Sequence, residues 1–191
     1  KKQSFGLYTG AMAKRLNNAL LYIKPHASRV GVQYLISAVL DDFNIRVIAR
    51  GKYNSEEIEE MRLFNKQFGY MAQFAENTPP EAIALESSEL KQFCETFGED
   101  WSQAITTHRV QNTLTASESL LLSSDAMYGL WKGATQHVTL RRGLKICRVD
   151  TANTFSDVEL VSKFTEPMYL INGFFPSMRA TYLHEDATVH Y

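Results

Sequence analysis

The chain has 191 residues, 45% of them hydrophobic, with 20 Lys+Arg against 21 Asp+Glu and a formal net charge of −1. That length supports one domain with a real core and room for a large insertion. The near-balanced charge excludes a whole-surface field for DNA, RNA or a membrane, and no apolar run reaches the roughly eighteen residues a spanning helix needs.

The opening residues are basic and acid-poor. Lys1, Lys2, Lys14, Arg15, Lys24 and Arg29 all precede the first acid, Asp41. Residues 1–18 read as a basic arm, either an unstructured extension or the remains of an organelle transit segment. The first residue is Lys1, not Met, which suggests a processed or partial polypeptide. Leu20 to Ile23 then form a short apolar run suited to a buried strand. Val32, Leu35, Ile36, Val39, Leu40 and Phe43 follow at helical spacing, predicting a helix over 29–43 whose apolar stripe covers a sheet. Ile45 to Ala49 reads as a second strand, ended by Gly51. Asn54 is placed to cap the next helix, over 55–75, with Glu57 completing a capping box. The stripe of that helix is Ile58, Met61, Phe64, Phe68, Met71 and Ala72.

Thr78-Pro79-Pro80 breaks this strand–helix alternation. Leu90, Phe93, Cys94 and Phe97 predict a short helix stopped by Gly98. Asp100 caps another through Trp101 and Ile105, and Met127, Leu130, Trp131 and Ala134 mark a third. The segment 78–165 therefore reads as a helical insertion in an α+β domain. Met168 to Ile171 is strand-like, Asn172-Gly173 turns the chain, and Pro176 sits where a first-turn proline is tolerated. Phe175, Met178 and Tyr182 then share a helix face. Ala187 to Tyr191 begins another strand, so the domain is expected to be incomplete at its C-terminus. The two cysteines, Cys94 and Cys147, make no disulfide framework and read as small buried hydrophobes in a reducing, intracellular setting.

Two stretches carry a resemblance. "YIKPHA" (22–27) is similar to the first-strand I-K-P-D signature of nucleoside diphosphate kinases, and "INGFFPSMRATYLHEDATVHY" (171–191) to that family's F-F-P-G-L helix and following strand. Residues 19–191 resemble the N-terminal part of a long, atypical algal and protist branch that carries an insertion of this kind. The resemblance implies a ferredoxin-like sheet with helices on it. It also implies that strands 20–23, 45–49 and 187–191 share that sheet, with helices 29–43 and 55–75 packed on it and 78–165 outside. By the same resemblance Lys24 would contact nucleotide phosphates, an ammonium being a compact donor to them. Phe174 and Met178 would hold the base, through stacking that tolerates any base. Mg-nucleotide would be the ligand if such a site functions. From the residues alone, Lys24 reads equally as a solvated strand-end lysine, and Phe174 and Met178 as core.

Departures from the family pattern bear on function. The family's His-Tyr pair in the second helix aligns with Gln67 and Phe68, so the phenol that would touch the nucleotide is replaced by a plain ring. The kinase relays a phosphoryl group through a covalent phosphohistidine, and its N-x-x-H-G-S-like motif and two clamping arginines are not found. His26, His108, His137, His184 and His190 all lack that setting. His26 reads as a loop histidine. Arg141, Arg142, Lys145 and Arg148 form a basic strip, either a solvated face or a contact for an acidic partner. The expected function is a degenerate or partial kinase-like domain serving as a structural or interaction subunit of a larger assembly, with mitochondria or another organelle as its place. The competing expectation is the front part of an active kinase. Phe93, Phe97, Trp101, Tyr128 and Trp131 point to the insertion as the surface for other subunits, with core packing as the other reading.

Overall fold

A computed structural model describes residues 17–150 and 167–191. The larger of its two sheets is built from β2 (Val110–Gln111), β3 (Gln136–Arg141), β4 (Leu144–Val149) and β5 (Met168–Ile171), in the order β2-β5-β4-β3. β3, β4 and β5 are antiparallel in turn, and β2 runs parallel to β5. Side chains alternate across a strand, and here both faces are covered. Leu144, Ile146, Tyr169 and Ile171 enter one core with Phe93, Phe97 and Trp101. Cys147, Val149, Met168 and Leu170 enter the opposite core with Met127 and Leu130. All four residues of β5 are consequently buried, which is why its sequence is continuously apolar and does not alternate.

Four helices supply those two covers. α4 (Ser87–Phe97) and α5 (Trp101–Thr106) lie on the first face, and α6 (Thr113–Leu120) and α7 (Ser124–Gly133) on the second. Their ends follow local chemistry. Gly98 ends α4 at φ 72°, a left-handed conformation without penalty for glycine. Asp100 caps α5 by accepting from the Gln103 amide, and Asn112 caps α6 by accepting from that of Thr115.

The second sheet is small. β1 (Lys52–Asn54) pairs antiparallel with β6 (Thr188–His190), and Ile23 bridges to the other side of β6 through His190. Ile23 and β1 therefore flank β6, and α1 (Val30–Asp42) links them. A third apolar cluster joins α2 (Ser55–Glu60), α3 (Leu63–Ala72) and α8 (Phe175–Leu183) through Ile58, Phe64, Phe175 and Tyr182. The Asn54–Glu57 capping box is present, with its two hydrogen bonds at 2.8 and 2.9 Å.

Several expectations need correction. Residues 45–49 form no strand, because the pairing that would hold them stops at Gly51, which exchanges backbone hydrogen bonds with Tyr191. α1 forms but buries no residue fully; Val32, Ile36 and Leu40 of its stripe are half-buried, while Leu35, Val39 and Phe43 are exposed. The helix over 55–75 is broken at Arg62, whose left-handed φ of 52° starts α3, and it ends in a wider π turn, Gln73–Asn77. The segment 78–165 is not purely helical or peripheral, since it contributes β2, β3 and β4 to the larger sheet. Cys94 is exposed, while Cys147 is buried. Of the expected basic arm 1–18 and the insertion, residues 1–16 and 151–165 lie outside the described residues.

Asn172 ties the larger sheet to α3. It is fully buried and takes the left-handed turn position at φ 49°, which asparagine tolerates. Its Nδ2 donates to the carbonyls of Met71 at 3.1 Å and Gly143 at 2.7 Å, and its Oδ1 accepts from the Lys145 amide at 3.2 Å. Gly143 itself turns β3 into β4 at φ 83°, where an added Cβ would stand 2.5 Å from the Tyr70 carbonyl oxygen. Only glycine fits that approach.

Candidate functional site

Lys24 is exposed and directly precedes a short 3-10 turn, Pro25–Ala27; the expected strand over 20–23 is reduced to one bridged residue, Ile23. That turn rests on the C-terminal half of α8. Between them is a cleft of about 440 Å³ lined by Pro25, Ser177, Ala180, Thr181, His184 and Asp186, among others. Tyr182, on the same helix, is buried, and its hydroxyl has no hydrogen-bond partner among the described residues. Burial, with a smaller contribution from Tyr22, pushes its pKa up to about 12.

The other residues implied by the resemblance divide between two clusters. Phe68 and Met178 belong to the α2–α3–α8 cluster, where the Phe68 ring stands 4.9 Å from that of Phe64 and 5.7 Å from that of Tyr182. Phe174 stands at the opposite end of α8 from the cleft. Its ring packs on Trp131 at 4.9 Å and 60°, and the Lys145 ammonium lies 5.8 Å from its centroid. Phe68 and Met178 are thus brought together, whereas the ring of Phe174 is occupied by Trp131 and Lys24 stands beside the other half of α8.

The five histidines lie apart. His26 is exposed in the turn, His184 ends α8, and His108 is exposed after α5. His137 packs edge-on to Trp131 and contacts the Ala134 carbonyl. His190 contacts Gln33 at 3.3 Å, a link between α1 and β6. Among the described residues, no group of three or more His, Cys, Asp or Glu could hold a metal ion, and no helix is long and apolar enough to cross a membrane.

A polar cluster that the sequence reading missed occupies the first face of the larger sheet. The Tyr169 hydroxyl donates to Glu99 at 2.5 Å, and Arg109 pairs with both oxygens of that carboxylate. Burial raises the Tyr169 pKa, and Arg148 and Arg109 oppose the rise. Only the fold reveals this cluster, since Glu99 and Tyr169 are 70 positions apart.

The basic strip is engaged internally. Arg141 pairs with the buried Glu89 at 3.0 Å, Arg142 stands 4.4 Å over the Tyr70 ring, and Arg148 pairs with Asp150 at 2.9 Å. The aromatic residues of the insertion are also engaged. Phe93, Phe97 and Trp101 are core, and Trp131 packs against the second core; of the five, Tyr128 alone is an exposed large hydrophobe. Exposed apolar side chains lie on residues 20–48, among them Leu20, Tyr34, Leu35, Phe43 and Ile48, each more than 60% exposed, and within the insertion at Leu114, Leu121 and Tyr128.

Comparison with protein-family models, curated proteins and solved structures yields no match to this chain.

Proposed function

We propose that this chain is a nucleoside diphosphate kinase-like domain of ferredoxin type, serving as a structural or interaction subunit of a larger assembly in mitochondria or another organelle. The fold part of this reading is supported by Ile23, α1 and β1 arranged around a middle strand, β6, that is antiparallel to both. That order is similar to the split β-α-β unit of a ferredoxin-like sheet, with one flank reduced to a single bridged residue. The part concerning nucleotide chemistry is supported by Phe68 in place of a phenol and by the separation of the five histidines.

One observation carries the interaction role. α1 is amphipathic in sequence yet buries no side chain fully, and Leu35, Val39 and Phe43 of its stripe are all exposed. Contiguous exposed apolar surface on a folded domain marks a site of contact. The test is a pair of charge substitutions, Leu35→Asp and Phe43→Asp, followed by native gel migration of the assembly that holds the chain. The variant chain should be released while its melting temperature stays within about 2 °C of the parent, as expected for exposed positions. In parallel, γ-labelled ATP should leave no acid-labile phosphohistidine on the chain. Stoichiometric phosphohistidine, or an assembly indifferent to both charges, would sink the reading.

A further inference from the structure

Two residues of the α6–α7 pair break a local rule, and the chain itself does not compensate either of them. Leu121 ends α6 in the left-handed conformation, φ 56°, which crowds the Cβ of any residue but glycine. Its side chain is nonetheless 79% exposed, so burial does not offset the strain. Gly129 stands inside α7, where glycine lowers helix stability relative to alanine. A Cβ added there would meet nothing within 4 Å among the described residues, so packing within the chain does not call for a glycine. Breaches of a local rule without an internal gain are expected at functional positions. Both helices put their inner faces, Ala116 with Leu120 and Met127 with Leu130, into the second core. Their outer faces therefore look away from the same sheet. On α6 that face carries Leu114 and Glu118 and leads to Leu121, at i, i+4 and i+7; on α7 it carries Asp125, Tyr128 and Gly129, at i, i+3 and i+4. All six are exposed.

We propose that the outer face of α6 and α7 receives an amphipathic helix of a partner polypeptide, one whose apolar stripe is flanked by lysine or arginine. This surface is separate from the α1 stripe and does not depend on the kinase-like reading of the chain. The chemistry of the face selects that guest. Leu114, Leu121 and Tyr128 at helical spacing form ridges against which the side chains of another helix interdigitate. Gly129, beside Tyr128, leaves the α7 backbone open to close approach. Glu118 and Asp125 are exposed and take part in no ion pair among the described residues. No lysine or arginine occurs between Arg109 and Lys132, so the two carboxylates are left for cations on the guest. The guest would read as a helix laid on a groove, with apolar anchors at i, i+3, i+4 and i+7.

The probe is a fluorescein-labelled helical peptide of leucine and lysine, five turns long with its leucines on one face, titrated into the full chain and followed by anisotropy and amide hydrogen exchange. It should bind saturably, slowing exchange across 113–133 and leaving 30–42 unchanged. Leu121→Gly and Gly129→Gln each install a residue that the local backbone prefers, so neither should lower the melting temperature. Each should nonetheless weaken the peptide by about tenfold or more. Glu118→Lys with Asp125→Lys should reverse the preference, so that a leucine–glutamate peptide binds in place of the leucine–lysine one. Leu35→Asp and Phe43→Asp should leave peptide affinity unchanged, which separates this test from that of the α1 surface. The proposal is overturned by protection at 30–42 in place of 113–133, by equal binding of the two peptides to the parent chain, or by unchanged binding to Leu121→Gly. A melting temperature lowered by either single substitution also overturns it, because that residue would then serve the chain's own packing. So does binding of the chain to phosphatidylcholine vesicles that Leu121→Gly abolishes, which would assign the face to a lipid surface.

Discussion

The two sheets meet opposite fates with similar residues. In the larger one, β5 is sealed between two helical layers, and Phe93, Ile146, Leu170 and Ile171 have no exposed surface. In the smaller one, α1 and residues 45–48 carry valine, isoleucine, leucine and phenylalanine of the same kind, yet Leu35 is 64%, Phe43 74% and Ile48 74% exposed. Composition does not separate the two regions. The difference is whether a hydrogen-bonded strand lies opposite, since apolar side chains can be buried by a sheet only where its ladder extends. The lesson is that amphipathic pattern states the need for a cover, and the topology decides whether the chain itself provides it.

The sharpest way to break this comparison is to truncate one apolar residue in each region. Phe93→Ala should cost about 4 kcal/mol, because it empties a ring-sized space among Phe97, Trp101 and Tyr169. Leu35→Ala should cost less than about 0.5 kcal/mol, because that side chain is 64% exposed. Urea unfolding of the isolated chain measures both. Equal costs would mean that α1 is covered in solution and that the contrast between the sheets is false.

A smaller effect sharpens the account of the larger sheet. Burial pushes the Cys147 thiol up to about 12 from 9, and backbone hydrogen bonds oppose the rise. A group whose folded pKa is raised contributes stability in full below its unfolded pKa, and that contribution is lost as pH climbs toward the folded value. Folding stability should therefore fall by about 2 kcal/mol between pH 9 and pH 10.5 through this thiol. Cys147→Ala should flatten that part of the curve. At pH 8 a thiol reagent should label exposed Cys94 in the native chain and reach Cys147 only after unfolding.

The smallest effect lies at the junction of the small sheet with α2. Asn54→Ala removes one half of the capping box and should cost about 1 kcal/mol, whereas Asn54→Asp should retain most of it. A cost near zero would mean that α2 is held by Ile58 and its cluster alone.

Local chemistry was the legible part of the sequence. Asn54 with Glu57, Gly98, Asp100, Asn172-Gly173 and Pro176 each satisfy a backbone requirement within a few residues, so their roles can be read without knowing the fold. The helices holding Phe93, Trp101 and Met127 were legible for the same reason, as was β5. The β3–β4 hairpin was not. Its signal is Val138 and Leu140 alternating with exposed residues, then Arg142-Gly143, then Leu144 and Ile146. The charges of Arg141, Arg142, Lys145 and Arg148 hid that alternation, because Glu89 and Tyr70, which engage Arg141 and Arg142, come from other parts of the chain. Residues 45–49 failed in the opposite way. Their β-branched run is genuine, but a strand is a relation between two segments, and no neighbour is bonded to this one. Of the candidate site, the sequence placed Met178 on a helix that exists, whereas Lys24 follows a single bridged residue where a strand was expected. It could not show that the ring of Phe174 rests on Trp131, a contact 43 positions away along the chain.

Asn172 also imposes an order in time. Its side chain closes hydrogen bonds to Gly143, 29 positions away, and to Met71, 101 positions away. The nearer partner belongs to the β3–β4 turn, which forms with the hairpin and the β4–β5 ladder. The farther one is a carbonyl at the end of α3, reached only by closing a much longer loop at greater entropic cost. The four-stranded sheet is thus expected to form first, with the layer of α2, α3 and α8 docking onto a finished amide. Native-state hydrogen exchange should then show α3 opening at lower free energy than β4 and β5.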